Sequence, residues 1–407
     1  MNPGLPTSAP LSSSTFGRPP NQQSGVTSAA QGGRSDAGVW AWSTAFAVAC
    51  KGAPVIDAEA PLVPLPSQPE GRAWPTSTWA RGEGIPAIDA LIDQMCADTS
   101  QYETTYAVVV VHEGVLVAER YENELPNWVG EPIPVTRETP LLSWSMAKSM
   151  LHAIVGILIG DGRLQLDDDR LVTEWRAPDP RHAITLPDLL AMRDGLAWNE
   201  DYVDAGGSQV IDMLFGEGNA DVGAFARARE LAHEPGSNFN YSSGTTNVIS
   251  GIVADIVGRG DPYARFLHDR LFAPIGMSTA EPTMDATGLW VASSYVHATA
   301  EDFARFGYLY LRDGVWDGAR ILPEGWVDDG RRLRSIDPDD GRGYGWQWWV
   351  TGDDHGTFWA NGYEGQSILV SPANDLVCVR IGRTDASHGR ALFDWRARIV
   401  DAIAAVR

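Results

Sequence analysis

Ser145 and Lys148 stand three residues apart in an apolar stretch, residues 141–156, that reads LLSWSMAKSMLHAIVG. On a helix that spacing puts both side chains on one face, a turn apart, where they can meet. A serine hydroxyl is a weak nucleophile until a neighbouring base takes its proton. A lysine can be that base if burial and nearby positive charge keep its amine neutral, and a helix start supplies such a field. The competing reading is a solvated helix start that carries the pair by chance. Of the 31 Lys plus Arg, only Lys51 and Lys148 are lysines. Arginine serves nearly every other cationic position, and what lysine adds is an amine that can lose its proton near neutral pH.

Other chemistries lack an anchor. No Gly-x-Ser-x-Gly elbow is present, which disfavours an α/β-hydrolase. His-Glu-x-x-His, a Walker loop and a Gly-x-Gly-x-x-Gly turn are absent as well. The eight histidines are scattered, and His152, one turn past Lys148, reads as a packed core residue. Cys50, Cys96 and Cys378 are odd in number and far apart, so reduced thiols are expected rather than a disulfide framework or zinc site.

The elements that must position the Ser-Lys pair can be read along the chain. Residues 1–38 are rich in Pro, Gly, Ser, Gln and Ala and are expected to form a disordered tail, followed by an extended segment and linker over 39–75. A helix is expected over 85–96 and a hairpin over 107–121 around Glu113-Gly114, its continuous apolar first strand central. Thr185 and Gly195 bound a short helix, residues 198–204 form a polar, aromatic loop, and 222–231 is helical. A turn-rich segment, 235–244, delivers Tyr241 at the head of an apolar helix over 246–257. Thr299 and Asp302 make a capping box for a helix through Arg312. Strands follow at 345–350, 357–362, 366–370 and 376–381, then a helix over 391–406. Strands at both ends with helices between imply an α/β (α+β) domain over 76–407. A central antiparallel sheet from about 76–143 and 300–407 is flanked by helices, with a helical lobe inserted over about 144–299.

Composition bounds the partners. The 407 residues are 44% hydrophobic and can bury a large core, and no apolar run approaches the ~18 residues of a spanning helix. A net charge of -22, with 53 acidic residues, argues against nucleic acid or anionic lipid. Residues 39–50 end Ala-Val-Ala-Cys, which hints at lipid anchoring at Cys50 or export. The stretch is far from the start and follows Arg34 and Asp36, so a cytoplasmic protein is expected.

Three ordered motifs carry a resemblance. Ser145-Met-Ala-Lys148, then Tyr241-Ser-Ser243 behind a Pro-Gly turn, then Asn361-Gly-Tyr-Glu-Gly-Gln366 at a strand end resemble those of the serine β-lactamase and penicillin-recognising superfamily. Residues 184–196 and 271–277 resemble the helix-and-turn and the Pro-Leu-Gly-Met turn of its class C-related branch. The stretch from Asn199 to Asp204 is similar to a loop of the 6-aminohexanoate-dimer hydrolase type, whose tyrosine reaches over the substrate; here that is Tyr202.

The resemblance implies a serine hydrolase working through an acyl-enzyme. Ser145 would be nucleophile, Lys148 base and Tyr241 proton relay, with backbone N–H groups of Ser145 and Tyr363 as oxyanion hole. Ser243, Asn361, Gly362, Glu364, Trp359 and Tyr202 would contact substrate. Trp346, Trp348, Trp349 and Trp359 offer an apolar acyl pocket, or simply sheet core. No metal or cofactor is required. Where β-lactamases and D-peptidases keep a cation in the third motif, Ala360 and Glu364 stand instead, and Ser243 replaces an Asn. The expected substrate is therefore a small-molecule ester or amide with a neutral acyl group, taken by a monomer or homodimer. A D-alanyl peptidase or β-lactamase, and a non-catalytic binding protein on the same fold, are the alternatives.

Overall fold

The computed structural model describes residues 61–127, 131–168, 171–202 and 207–406. The expected tail over 1–38, the segment 39–60 with Cys50, and the loop end at Val203 and Asp204 lie outside the described residues. The central sheet contains β1 (Ala80–Arg81), β2 (Thr104–His112), β3 (Val115–Tyr121), β4 (Ser335–Ile336), β5 (Gly343–Tyr344), β6 (Trp349–Val350), β7 (Phe358–Gly362), β8 (Gln366–Ser371) and β9 (Leu376–Arg383). Their order is β1-β3-β2-β9-β8-β7-β6-β5-β4. The β2–β9 pairing, from Leu376 opposite His112 to Arg383 opposite Thr104, joins the two ends of the chain. The pairs are antiparallel except β1 on β3, so the expected antiparallel sheet is mixed at one edge.

A strand apolar on both faces must be covered on both. Ala107 to Val111 of β2 are all 0% exposed. One face, with Val109, Val111, Ile368 and Val377, packs against α2 (Ala147–Gly160) and α4 (Ala300–Leu311). At Gly307 of α4 an added Cβ would lie 2.7 Å from Ile368, so glycine permits this close approach. The opposite face, with Val108, Val110, Leu369 and Cys378, meets α1 (Pro86–Ala97) and α5 (Gly389–Ala404). Buried residues run all round α2 from Ala147 to Leu158, the pattern of a core helix.

Several boundaries differ from those expected. The helix at Thr185 has its capping box with Asp188 but ends at Leu190, and Gly195 instead turns the chain so that its carbonyl accepts from Ala232 and His233. The helix from Val222 stops at Arg227. α3 (Ser243–Val257) begins three residues early because the Ser242 side chain caps it. Thr299 caps α4, but the Asp302 carboxylate turns to Thr279 and Arg305 rather than closing a capping box. Residues 345–348 form a loop, with Gln347 at φ +58°, instead of a strand. Cys96 and Cys378 are free thiols.

The described part of the expected linker is clasped rather than loose. Arg331 donates to the Val63 carbonyl at 2.6 Å, Arg312 to Pro66 at 3.2 Å and Arg305 to Pro75 at 2.7 Å. All three arginines are buried. Arg312 also pairs with Asp375 at 2.5 Å, and removing one partner of a buried pair leaves the other charge uncompensated. Arg312→Ala is expected to lower the unfolding free energy by about 3–5 kcal/mol, read from the midpoint of chemical denaturation.

Candidate active site

Ser145 lies in a tight turn, Trp144–Met146, that leads into α2 rather than inside the helix. The turn is pinned from behind: Ser143 N donates to the Val296 carbonyl at 2.9 Å, and its Oγ accepts from Val296 N at 3.0 Å. Trp144 sits at φ +44°, a region costly for a bulky side chain and one that persists only where the surroundings enforce it. Its indole packs against Tyr202, Tyr295 and Tyr363 at ring separations of 6.5, 6.1 and 5.4 Å. Ser145 itself is 8% exposed.

Lys148 follows one helical turn on, 1% exposed. Its Nζ donates to Ser145 Oγ at 3.0 Å, to Ser243 Oγ at 2.9 Å and to the Ser293 carbonyl at 2.9 Å. Burial drives its pKa down to about 8, with the charge of Glu200 pulling partly the other way. The amine also lies 5.0 Å from the centre of the Tyr241 ring. Tyr241, just before α3, packs on Trp349 and hydrogen-bonds Ser145. Burial, then the Glu200 charge, raise its pKa, so its phenol keeps its proton and acts as a donor.

The third motif closes the site from the sheet. An added Cβ at Gly362 would meet the Ser143 carbonyl at 2.6 Å, so glycine lets β7 run against the turn that carries Ser145. The following turn, Tyr363–Gly365, has its carbonyls fixed: Gln366 donates to Tyr363 at 3.0 Å, and the buried Arg380 to Glu364 and Gly365 at 3.1 and 3.2 Å. Tyr363 stacks on Tyr202 at 4.5 Å, placing both rings beside Trp144.

The other residues expected at the substrate divide. Trp359 is 2% exposed and packs on Trp349 and Phe393, on the sheet face that carries α5; this placement corrects its expected contact with substrate. Asn361 shares that face by strand alternation and is half-buried. Trp346 and Trp348 are likewise core. Glu364 pairs with Arg383 at 3.2 Å and takes a hydrogen bond from Trp144, so its charge is engaged rather than aimed at a ligand. Ser243 is fully buried, its hydroxyl spent on Lys148 and, at 2.5 Å, on Glu200, which leaves it no donor for a substrate.

Glu200 is the residue that sequence reading passed over. Its carboxylate accepts from Ser243 Oγ, from Ser243 N at 2.9 Å and from the Trp198 indole at 2.5 Å. The signal was its place two residues before Tyr202 in a loop already singled out. The Ser293 carbonyl has no side-chain signature at all. Among the described residues there is no group of three or more His, Cys, Asp and Glu able to hold a metal, and no helix long and apolar enough to cross a membrane.

Residues 88–402 match the Beta-lactamase family, and the chain belongs to it. Over 317 residues it is 29% identical to the 6-aminohexanoate-dimer hydrolase of Paenarthrobacter ureafaciens, covering 73% of this chain and 75% of that one. A Bacillus anthracis protein described as a 6-aminohexanoate-dimer hydrolase has the same fold, with TM-score 0.66 and 23% identity, over 85% of this chain and 91% of its own. A family VIII carboxylesterase superposes with TM-score 0.58 at 15% identity, over 78% and 99%. The chain is a serine hydrolase of the β-lactamase family.

If Lys148 is the base for Ser145, an amine half neutral near pH 8 would set the pH dependence of the serine. The rate of Ser145 acylation by a fluorophosphonate probe is expected to be low at pH 6 and to rise through an apparent pKa near 8, as Lys148 loses its proton. Lys148→Arg, unable to deprotonate, is expected to lower that rate about 10²–10⁴-fold at every pH.

Proposed function

We propose that the protein hydrolyses esters or amides of small neutral acyl groups through an acyl-enzyme on Ser145. The observation that carries this reading is the desolvated Lys148 amine 3.0 Å from the Ser145 hydroxyl. Lys148 takes the hydroxyl proton as Oγ bonds to the substrate carbonyl carbon. The oxygen that becomes negative is met by the N–H groups of Ser145 and Tyr363, each such donor being worth about 10²–10³ in rate. The carbon–leaving-group bond breaks as Tyr241 hands over a proton, replaced from Lys148. Water then attacks the ester on Ser145 with the same groups in reverse order, releasing the acid.

Charge supports a neutral acyl group. Ala360, at the cation position of the third motif, is 1% exposed and apolar. Arg342, whose field reaches Tyr241, is held by Asp340 at 2.6 Å, and Arg383 is held by Glu364. A substrate carboxylate therefore meets no uncommitted cation among these. The aromatic cluster of Trp144, Tyr202 and Tyr363 favours an apolar acyl chain. The relative named for the 6-aminohexanoate dimer supports an amide bond within an unbranched chain.

Turnover of p-nitrophenyl acetate and butyrate is expected from the protein, and only background from Ser145→Ala, in a spectrophotometric assay. Nitrocefin is expected to be turned over slowly. Equal rates in parent and variant would remove the enzyme assignment at Ser145, and fast nitrocefin hydrolysis would favour the β-lactamase reading.

A further inference from the structure

We infer that Glu200 is a positioning residue that aims the lone pair of Lys148 at Ser145 by fixing the direction of the hydrogen bonds through Ser243. The inference rests on the Ser145–Lys148 reading above and concerns what makes that base usable.

A neutral lysine amine has two N–H bonds and one lone pair, and Lys148 has three neighbours. The Ser293 carbonyl can only accept, so one N–H is committed there. The remaining N–H and the lone pair must be divided between two hydroxyls, Ser243 and Ser145. Left to themselves, either serine could donate to the lone pair, and donation from Ser243 would quench the base. Glu200 removes that choice. Its Oε1 lies 2.5 Å from Ser243 Oγ and has no proton to offer, so the Ser243 hydroxyl proton points to Glu200. Ser243 can then only accept from Lys148, which takes the second N–H. The lone pair is left for Ser145, the direction that proton abstraction requires.

The carboxylate is held for this task. Its second oxygen receives Ser243 N at the start of α3 and the Trp198 indole. An added Cβ at Gly244, the next residue of α3, would meet the Trp198 ring at 2.5 Å, so the helix start is built around that indole. The other titratable groups at the junction come from three places. Tyr241 precedes α3, Tyr202 follows Glu200 in its loop, and Tyr344 lies on β5. All three are phenols whose pKa values burial raises, so none competes for a proton. Arg342, the cation whose field reaches Tyr241, is engaged by Asp340. The negative charge of Glu200 also favours the protonated form of Lys148, against the larger effect of burial, so the same residue aims the base and raises the pH at which it is available.

The test is a double-mutant cycle on the acylation of Ser145, with p-nitrophenyl butyrate and the fluorophosphonate probe, over pH 6–10. Glu200→Gln keeps the shape but can donate to Ser243 Oγ, freeing the serine hydroxyl to turn to Lys148. The expected result is an alkaline plateau at least about tenfold lower, little change in KM, and an acid limb moved to lower pH, because the charge holding the Lys148 proton is gone. Because Glu200 acts through Ser243, Glu200→Gln in a Ser243→Ala background should cost far less than in the parent. Thermal melts identify any variant that has lost its fold, and Glu200→Asp, which keeps the carboxylate, should retain the direction of the acid limb and part of the plateau. A folded Glu200→Gln with the parental plateau and acid limb, or losses that add in the double variant, overturns the inference. Absence of Ser145 acylation in the parent would instead overturn the reading on which it rests.

Discussion

Everything at the site depends on keeping one amine out of water. A lysine on the surface holds its proton to about pH 10 and is no base at neutrality. Lys148 sits on a helix buried on all sides, and the cost of desolvating its charge brings the pKa down to about 8. That helix belongs to the main hydrophobic core, so the lowered pKa is a product of the core rather than of the immediate neighbours of the amine. The same burial leaves Tyr241 as a phenol. One environment thus favours a neutral amine and a neutral phenol side by side, each displaced in the direction its proposed role requires.

Geometry follows a similar division. Strain at Trp144 and the glycine at 362 bring two segments more than two hundred residues apart into contact, and neither would hold without the framework behind it. The Ser143–Val296 pairing fixes the turn from the lobe, while Gln366 and Arg380 fix the strand end from the sheet. A buried guanidinium that spends its donors on main-chain carbonyls is an expensive way to hold a loop. Here it holds the turn within the third motif.

What was legible in the sequence was whatever depends on local pattern. The unbroken valines of 108–111, the Thr185 cap and the apolar run after Ser145 each state a local preference, and the elements formed where those preferences agree. Order along the chain carried the family resemblance. Faces and hydrogen-bond directions were not legible. Trp359 and Ala360 are adjacent, yet alternation sends one into the core under α5 and the other toward the core that holds α2. Ser243 matches a motif position, but its partner Glu200 lies 43 residues away and only the fold brings the two within reach. Edge strand β1 is two residues long, too short to leave a pattern, and its parallel pairing follows from the arginine-held path of the preceding chain.

The scarcity of lysine has a consequence for the enzyme's own durability. On the acyl-enzyme reading proposed above, activated acyl groups would be open to capture by surface amines. Among the described residues Lys148 is the only lysine, and it is buried. The cations that face solvent there are arginines, whose guanidinium groups stay protonated and do not attack carbonyls at ordinary pH. The described surface thus offers no lysine amine to compete with Ser145 for an acyl group.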